Sequence, residues 1–530
     1  MQRNVKMTKP NKWSLLIQAV IILYMAFDAV GLFVDKVLPR SRQAVEGYSL
    51  SFLSGWFIFL VIVGILGYLL LWRGIGKQAV EKSFLYMALL FGLVYMLVMP
   101  IYSAPDENTH IPTVYYYSNQ LLGKEAVDED DNVMWRKYDD EVLNHARDKY
   151  PTARTYATIY HHFWDKSTED TMVSSQVNAL QPLNVTFLGY IPQILGITIA
   201  RLLHFGTVRM FLMGKLFILL CYTAIVYASV KIIPVGKEML SAIALLPVSL
   251  AQATSFSYDG MVTAVSFLFI ALVFRLIYEE REIRKSEILV LAVAMIFMSA
   301  VKVVYLMIGL ILFAIPAERF SKPSKKWLVI MTILLIGIVS IFFSRFSQVV
   351  ELSTVPTDGY MDKQTYTIGA LVHEPIRIVY IVYATLRNGV SGYLSTLLGS
   401  GMGWSYVSLP RVLQFGLVVV LVFASLQREG EQKPLSQKDK AWFVLASLLC
   451  IMAIEGAMLL AYTPLGVNYI KGVQGRYFLP VLPLLLILFK NHTITVKGEI
   501  RARINMALYV VQYFSLLYIG TFILESVKGL

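Results

Sequence analysis

Long apolar runs recur along this chain and constrain its fold more than any other feature. Each run has roughly twenty residues, and a helix of that length crosses a hydrocarbon core of ~30 Å. Only 15% of the 530 residues are charged, whereas soluble proteins carry about a quarter. Because backbone groups in lipid must be paired within the chain, such runs form helices. The sequence therefore predicts an all-α polytopic membrane protein embedded in a lipid bilayer.

About thirteen runs are candidate transmembrane helices. They cover approximately residues 13–35, 50–72, 83–102, 209–231, 238–256, 260–278, 286–301, 303–318, 327–345, 411–427, 441–462, 473–489 and 505–526. The first run is too long for a signal-peptide core and lacks a small-residue cleavage site, so we interpret it as a retained anchor. Cys221 and Cys450 both lie inside apolar runs, so we expect no disulfide framework.

Lys and Arg residues cluster in the connections between runs, and the positive-inside rule places such clusters in the cytoplasm. These connections are the N-terminus up to Lys12, then 73–82, 281–285, 322–326, 433–440 and 490–503. The N-terminus is then cytoplasmic, and the third run delivers residues 103 onward to the extracytoplasmic face. Orientation and attraction to anionic lipid explain the net charge of +12, so we expect no nucleic-acid partner.

This orientation holds only if the apolar run at 186–205 does not cross the bilayer, since a crossing would invert every later basic connection. The run is interrupted by Gly189, Pro192 and Gly196, and we interpret it as a juxtamembrane or re-entrant helix. The loop at 103–185 is then a large first extracytoplasmic loop with a helix predicted around Trp135 to Arg147. The predicted segments are 1–82 (two N-terminal helices), 83–345 (a membrane module with the extracytoplasmic region 103–205), 346–410 (extracytoplasmic or re-entrant) and 411–530 (C-terminal helices).

The third run ends in Pro105-Asp106-Glu107, with His110 one helical turn later. Two carboxylates and an imidazole beside a low-dielectric surface are suited to general-base chemistry, because their pKa values can be driven apart. The alternative is structural, with Asp106 or Glu107 capping a helix N-terminus. The string also resembles a zinc motif that lacks its first His. We predict Asp106 and Glu107 as catalytic residues and His110 as a substrate-binding residue.

The same orientation sends further polar residues to the extracytoplasmic face. They are Asp259, Lys302, Tyr305, Gln474, Arg476 and Tyr477. Arg476 suits a phosphate because its guanidinium donates two parallel hydrogen bonds, and Lys302 adds a point charge. The alternative for each cation is snorkelling to lipid headgroups. We predict that these six residues bind the substrate.

Two carboxylates, Asp28 and Glu455, lie inside apolar runs. They are candidate proton-relay groups of a transporter. The structural alternative is pairing with a cation on a neighbouring helix, such as Lys215.

Several short motifs occur in a fixed order, and together they resemble an uncharacterised family of bacterial polytopic membrane proteins marked by a Pro-Asp-Glu-x-x-His loop. The resemblance covers roughly residues 83–490 and leaves the first two runs as an N-terminal addition. The motifs are Pro105-Asp106-Glu107-x-x-His110, Tyr190-Ile191-Pro192-Gln193-x-x-Gly196, Ser257-Tyr258-Asp259, Lys302-x-x-Tyr305, His373-x-Pro375, Gly403-Trp404 and Gln474-Gly475-Arg476-Tyr477-x-x-Pro480.

That family is in turn similar to the GT-C class of glycosyltransferases, which use polyprenyl-phosphate-linked sugars. The resemblance implies a GT-C-like fold in which Asp106 is the general base or the acceptor-binding carboxylate. It implies that Glu107 and Asp259 support Asp106, and that Lys302 and Arg476 contact the donor phosphate.

We therefore expect an inverting membrane glycosyltransferase of the bacterial cell envelope. Its partners would be a polyprenyl-phosphate-linked sugar donor and a cell-surface polysaccharide or related acceptor. A divalent cation such as Mg²⁺ or Mn²⁺ is compatible with two carboxylates, but the sequence shows no dedicated ligand set. The alternatives are a transporter or flippase for a lipid-linked saccharide, and a non-catalytic component of a polymer assembly complex.

Overall fold

A computed structural model describes residues 12–43, 48–74, 78–144, 151–167, 171–178, 187–354, 363–432, 435–491, 493–496 and 500–525. Within them lie twenty α-helices. These are α1 (Lys12–Leu32), α2 (Leu50–Arg73), α3 (Val80–Val98), α4 (Glu107–Leu121), α5 (Lys137–Asn144), α6 (Ala153–His162), α7 (Ile191–Leu202), α8 (Thr207–Ile232), α9 (Lys237–Ala244), α10 (Pro247–Ala253), α11 (Asp259–Tyr278), α12 (Lys285–Val301), α13 (Lys325–Thr354), α14 (Ile368–His373), α15 (Pro375–Leu397), α16 (Met402–Ser405), α17 (Arg411–Ser425), α18 (Gln437–Ala461), α19 (Leu482–Leu486) and α20 (Ile500–Glu525).

Eight helical segments in the described part of the chain are long and apolar enough to cross a membrane. They are α1 with the turns that follow it to Arg42, then α2, α3, α8, α11, α13, α18 and α20. The prediction of an all-α membrane protein is supported at this level. The three sheets among the described residues have only two strands each.

The predicted number of about thirteen spans is not reproduced, because five predicted runs do not form long α-helices. The run 238–256 is divided into α9 and α10 at Pro247, which occupies the first position of α10. The run 303–318 contains a 3-10 helix, Val303–Ala314, and 473–489 is broken into a 3-10 turn, α19 and another short turn. The helix α12 has 17 residues, at the lower limit for a bilayer crossing, and α17 has 15, below that limit.

The basic connections meet at one end of the helix bundle, called here the basic end. Glu238, at the start of α9, pairs with Arg428 and with Arg501, the latter at 2.9 Å. Lys490 Nζ lies 2.6 Å from Glu431. Of the residues on which the predicted orientation rests, 1–11, Lys77, Lys433 and Lys497 lie outside the described residues.

The described residues of the polar loop after α3 form a folded cap at the opposite end, called here the site end. Strands β1 (Asn132–Arg136) and β2 (Met172–Asn178) pair antiparallel, and a second hydrophobic core joins α4, β1, α7 and α8. Thr207, the first residue of α8, donates a hydrogen bond to Asp139 of the cap at 2.7 Å. The predicted helix around Trp135 to Arg147 is wrong at its start, because Trp135 pairs with Val173 in the sheet and α5 begins at Lys137.

The apolar segment before α8 does not form a helix long enough to cross a bilayer. Its described part, 187–205, contains a short 3-10 turn and α7, whose 12 residues extend only ~18 Å at 1.5 Å per residue. α7 folds back along α8, with Gly196 against Gly214, and Thr198 donates to Ser118 of α4. The short helix is consistent with a segment that does not cross the bilayer, and its juxtamembrane or re-entrant placement stays a prediction.

One hydrophobic core extends from Met25 in α1 to Leu524 in α20. The four predicted segments of the chain therefore contribute to one packed body. The predicted boundary at residue 345 falls inside α13, which continues to Thr354. The predicted segment 346–410 contains α15, a helix of 23 residues.

Candidate functional site

A polar cavity of about 220 Å³ lies at the site end and brings together five separate stretches of the chain. Six of the nine predicted site residues line it: Asp106, His110, Asp259, Lys302, Arg476 and Tyr477. We call it the site cavity. α11 begins at Asp259 in this cavity, and α12 ends beside Lys302 in it. The connection between these two helices lies at their other ends and holds the Arg281–Glu287 pair.

Asp106 is held with its carboxylate available to the site cavity. Its backbone is in the left-handed region, with φ of 63°, a conformation that Asp and Asn adopt more readily than most residues. It occupies the N-cap position of α4 but forms no side-chain capping bond. Its Oδ2 instead accepts a hydrogen bond from Arg476 Nη2 at 3.1 Å. The capping alternative therefore does not account for this side chain.

Asp259 lies between the two cations of the site cavity. Its Oδ1 accepts a hydrogen bond from Lys302 Nζ at 3.0 Å, and its Oδ2 lies 3.4 Å from Arg476 Nε. As the first residue of α11, Asp259 is also favoured by the helix dipole. Arg476 thus bridges Asp106 and Asp259. Both cations are paired with carboxylates of the site cavity, which explains their placement without snorkelling.

Tyrosine rings hold the two cations in position. Lys302 Nζ lies 4.0 Å from the ring centroid of Tyr477, and the Arg476 guanidinium carbon lies 5.1 Å from the same ring. Both contacts have the geometry of cation–π interactions. Tyr305 is buried beside the cavity and not on its wall, and its hydroxyl donates to the Tyr477 carbonyl at 2.9 Å. Tyr305 therefore supports Tyr477 and does not line the cavity, contrary to its prediction as a substrate-binding residue.

His110 is a buried, neutral part of the wall. Its Nδ1 lies 2.7 Å from the hydroxyl of Tyr190, and its ring packs edge-on against Tyr258 at 5.3 Å. Burial lowers the pKa of His110 to about 4, although the carboxylates of Asp106 and Asp259 oppose this shift. The imidazole is therefore uncharged near pH 7. It can donate one hydrogen bond and accept another without adding a positive charge to the cavity.

Glu107 does not line the site cavity, which contradicts its prediction as a catalytic partner of Asp106. Its side chain is fully buried, and its two oxygens accept hydrogen bonds from the backbone N–H groups of Phe256 and Ala104 at 2.9 and 3.2 Å. Burial raises the pKa of Glu107, and the nearby charge of Lys215 opposes the rise. Glu107 therefore fastens the Asp106 turn to the turn that precedes Asp259.

Lys215 also helps to hold the chain that leads to the Asp106 turn, and it is not a partner of the intramembrane carboxylates. Its Nζ donates to the carbonyl oxygens of Met99 and Pro100 at 2.8 and 3.1 Å. Its predicted pairing with Asp28 or Glu455 is therefore wrong. Glu455 instead accepts a hydrogen bond from Tyr393 at 3.3 Å.

A smaller cavity adjoins the site cavity and is called here the side cavity. Gln474 and Arg476 line it, together with Ala104, Pro105 and Gly403. Gln474, predicted to bind substrate, is thus in the adjoining space. Of the other motif residues, His373 lies on α14 with its Nδ1 2.7 Å from the Gly369 carbonyl.

Gly475 sets the position of Arg476. A Cβ at this residue would lie 2.2 Å from the backbone nitrogen of Leu397 and 2.3 Å from the Tyr393 carbonyl oxygen. Only a residue without a side chain allows the 3-10 turn Gly475–Phe478 to approach α15 this closely.

We expect Gly475→Ala to lower the free energy of unfolding by ~1–3 kcal/mol, because the new methyl group meets backbone atoms that cannot rotate away. Thermal unfolding of the purified protein in detergent measures this loss. Gly456→Ala is the matched control, since nothing lies within 4 Å of a Cβ at that helical position. Equal melting temperatures for the two variants would contradict the proposed close contact.

Five residues of the wall were not among the predicted site residues: Thr109, Thr113, Tyr190, Ser257 and Tyr258. Tyr190, Ser257 and Tyr258 belong to the short motifs of the family resemblance. These motifs marked the three residues but did not indicate a chemical role for them. Thr109 and Thr113 lie one and two turns into α4 with Asp106 at its N-terminus. Helical spacing from Asp106 would have indicated them.

The side chains of the site cavity do not provide a suitable set of ligands for a divalent cation. In the described part of the chain, no three His, Cys, Asp or Glu side chains lie together as metal ligands. Asp106 and Asp259 already face Arg476, and Asp259 also faces Lys302. Positive charges at this distance oppose a second cation, so the residues do not fit a dedicated Mg²⁺ or Mn²⁺ site.

Comparison with known proteins assigns most of the chain to a family. A family model described as predicted membrane protein (DUF2142) matches residues 89–485. No curated protein and no solved structure gives a significant match.

Proposed function

This chain belongs to the DUF2142 family of predicted membrane proteins, and from that premise and the geometry of its site cavity we propose that it is a membrane glycosyltransferase. It transfers a sugar from a polyprenyl-phosphate donor to a cell-surface polysaccharide or a related saccharide acceptor. The observation that carries this proposal is the meeting of Asp106 with Lys302 and Arg476 in one cavity. A carboxylate and two cations are the groups that a transfer from a phosphate leaving group requires.

The reaction is a single displacement at the anomeric carbon of the donor sugar. The acceptor hydroxyl oxygen bonds to C1, the bond between C1 and the phosphate oxygen breaks, and the hydroxyl proton passes to Asp106. General-base assistance of this kind contributes about 10²–10⁴-fold. Attack opposite the leaving group inverts the anomeric centre.

Lys302 and Arg476 stabilise the charge that develops on the departing polyprenyl phosphate. Preorganised cations are most effective where charge grows in the transition state. Both have carboxylate partners in the site cavity, so a bound phosphate must share or displace these contacts. When Arg476 turns to the phosphate, Asp106 is released to act as a base.

The remaining wall residues bind the sugar. His110 and Tyr190 present a paired imidazole and hydroxyl, and Thr109, Thr113 and Ser257 add further hydroxyl groups. The ring of Tyr258 offers an apolar face. A metal ion has no part in this scheme, because the donor set does not fit one.

The cavity opens on the extracytoplasmic side in this proposal. The positive-inside rule places the basic end in the cytoplasm, and the site end lies at the opposite ends of α11 and α12. A polyprenyl-phosphate donor has its headgroup at the bilayer surface, which matches a site beside the ends of transmembrane helices.

A transporter or flippase for a lipid-linked saccharide is the second candidate, with Asp28 and Glu455 as coupling groups. Neither carboxylate lines the site cavity, and Glu455 is bonded to Tyr393. A non-catalytic role in a polymer assembly complex is the third candidate. The site cavity favours the transferase over both, because Asp106, Lys302 and Arg476 provide the base and the phosphate-stabilising cations that the proposed transfer needs.

The candidates differ in which carboxylate they need, and this is the test of the proposed function. We expect Asp28→Asn to leave sugar incorporation within about twofold of wild type, since Asp28 does not line the site cavity. We expect Asp106→Asn to lower it by about 10²-fold or more. Incorporation of labelled sugar into surface polymer by intact cells measures both. The reverse order of sensitivity would indicate a transporter, and indifference to Asp106→Asn and Arg476→Ala together would indicate a non-catalytic component.

A further inference from the structure

A second and larger cavity of about 410 Å³ lies near the site end. Its size falls in the range typical of small-molecule sites. It is lined by Phe52, Trp56, Leu97, Tyr156, Ile159, Tyr160, His161, Phe163 and Trp164. We call it the aromatic cavity, because seven of these nine side chains carry aromatic rings.

The rings form a layered wall with an open rim. Trp56 packs on Tyr156 with centroids 5.0 Å apart, and Phe52 packs on Tyr160 at 5.6 Å. Tyr160 and Trp164 are 67% and 78% exposed. The inner rings are therefore fixed by mutual packing, whereas the rim presents large apolar faces that no described residue covers.

The aromatic cavity is linked by a hydrogen bond to the segment that leads to Asp106. The hydroxyl of Tyr156 donates to the carbonyl oxygen of Val98, in the last turn of α3, at 2.6 Å. From that turn the chain passes three cavities in order. Leu97 lines the aromatic cavity, Met99, Ala104 and Pro105 line the side cavity, and Asp106 lines the site cavity.

The aromatic cavity combines parts inside and outside the family match. Phe52 and Trp56 belong to α2, which precedes the matched residues 89–485, whereas the rest of the lining lies within them. The aromatic cavity therefore depends partly on residues that the family model does not cover.

We infer that the aromatic cavity binds a saccharide ring of the acceptor chain at a distance from its reacting end. This inference rests on the proposed function, because it takes the site cavity as the place where the acceptor reacts. The order of cavities along residues 97–106 then gives an extended acceptor a path, with distal rings on the aromatic wall and the terminal hydroxyl at Asp106.

The lining chemistry favours a saccharide over a hydrocarbon chain. A pyranose ring has an apolar C–H face that packs on an aromatic ring, while its hydroxyl groups project sideways to polar groups. The wall supplies broad ring faces together with the polar tips of Tyr160 and His161, a combination typical of amphipathic ligands. Aliphatic side chains, which suit an acyl or isoprenoid chain, contribute only Leu97 and Ile159 to this lining.

Binding of hexasaccharides to the full-length protein in nanodiscs tests the inference. The probes are a panel of gluco-, manno-, galacto- and rhamno-hexasaccharides, each with its disaccharide, measured by saturation-transfer NMR and titration. We expect at least one hexasaccharide to bind and its affinity to fall about tenfold or more in Trp164→Leu and in Tyr160→Leu, because exposed aromatic anchors carry much of such binding energy. Trp164→Phe should retain the affinity, since it keeps a ring.

Trp327→Leu is the matched control, because Trp327 is also exposed, at 59%, but lies in the first turn of α13, which begins at Lys325 and does not line the aromatic cavity. Binding by no member of the panel, or equal affinity in wild type and Trp164→Leu, would overturn the inference. Quenching of Trp164 fluorescence by lipids brominated along their acyl chains, with no hexasaccharide protection, would also overturn it in favour of a lipid-facing surface.

These experiments distinguish failure of the saccharide-site inference from failure of the proposed function. Trp164→Leu should lower hexasaccharide affinity about tenfold in the Asp106→Asn background as well, since Asp106 lies outside the aromatic cavity. If binding depends on Trp164 but Asp106→Asn transfers sugar at the full rate, the proposed function fails and the saccharide site stands.

Discussion

Replacing Asp106 by Asn lowers the rate of sugar transfer about 10²–10⁴-fold, the range expected for loss of a general base. Asn keeps the size of the side chain and tolerates the left-handed backbone with φ of 63°, so the change removes charge and basicity without straining the turn. Transfer from a labelled polyprenyl-phosphate sugar by the purified protein in nanodiscs measures the rate. Binding of the donor should change little, because Lys302 and Arg476 remain.

Asp131→Asn is the matched control for this substitution. Asp131 is also an exposed Asp with a left-handed backbone, φ of 60°, but it lies in the cap loop before β1. We expect it to transfer sugar at the wild-type rate. A wild-type rate in Asp106→Asn would remove Asp106 from the mechanism, and an equal loss in both variants would point to a general effect on the cap.

Replacing Arg476 by Met lowers kcat by about 10²–10³-fold, the effect expected when one charge-stabilising donor is removed. Arg476→Lys should recover only part of this loss, because Lys cannot donate two parallel hydrogen bonds to a phosphate. The assay is again transfer from the polyprenyl-phosphate donor, with kcat and KM determined separately. Thermal unfolding of the same samples distinguishes lost chemistry from lost structure.

Arg377→Met provides the control for Arg476→Met. Arg377 donates to Glu374 at 3.0 Å and lies 5.3 Å from the ring of Tyr366, so it has the same types of partner as Arg476. It does not line the site cavity. If Arg377→Met and Arg476→Met reduce kcat equally, the effect of Arg476 does not come from the leaving phosphate.

The convergence of distant residues in one cavity could be predicted because basic connections define the direction of each span. Once residues 73–82, 281–285 and 433–440 are placed on one side, Asp106, Asp259 and Lys302 must lie on the other. The structure gathers these residues with Arg476 in the site cavity. This part of the prediction needed only charge distribution and helix length.

The direction of each side chain could not be predicted in the same way. Asp106 and Glu107 are adjacent carboxylates, yet one faces the site cavity and the other is buried against Phe256 N–H. The difference arises from the left-handed turn at Asp106 and from a contact with a segment about 150 residues later. Neither leaves a signal in the local sequence.

The number of long helices also could not be predicted from the apolar pattern alone. Hydropathy measures whether a run is stable in lipid, but it does not detect where the helix breaks. Pro247 begins a new helix after Leu246, and the segment after Lys302 adopts the narrower 3-10 geometry over 12 residues. Such breaks are tolerated in a membrane where surrounding helices satisfy the freed backbone groups.

The sugar composition of surface polymer from cells that carry Asp106→Asn tests the central claim most directly. The comparison uses cells with wild-type protein and cells with Asp131→Asn at equal protein levels. A transfer centre at Asp106 predicts that one sugar is missing from the polymer of the Asp106→Asn cells alone. A polymer of unchanged composition in those cells would contradict it.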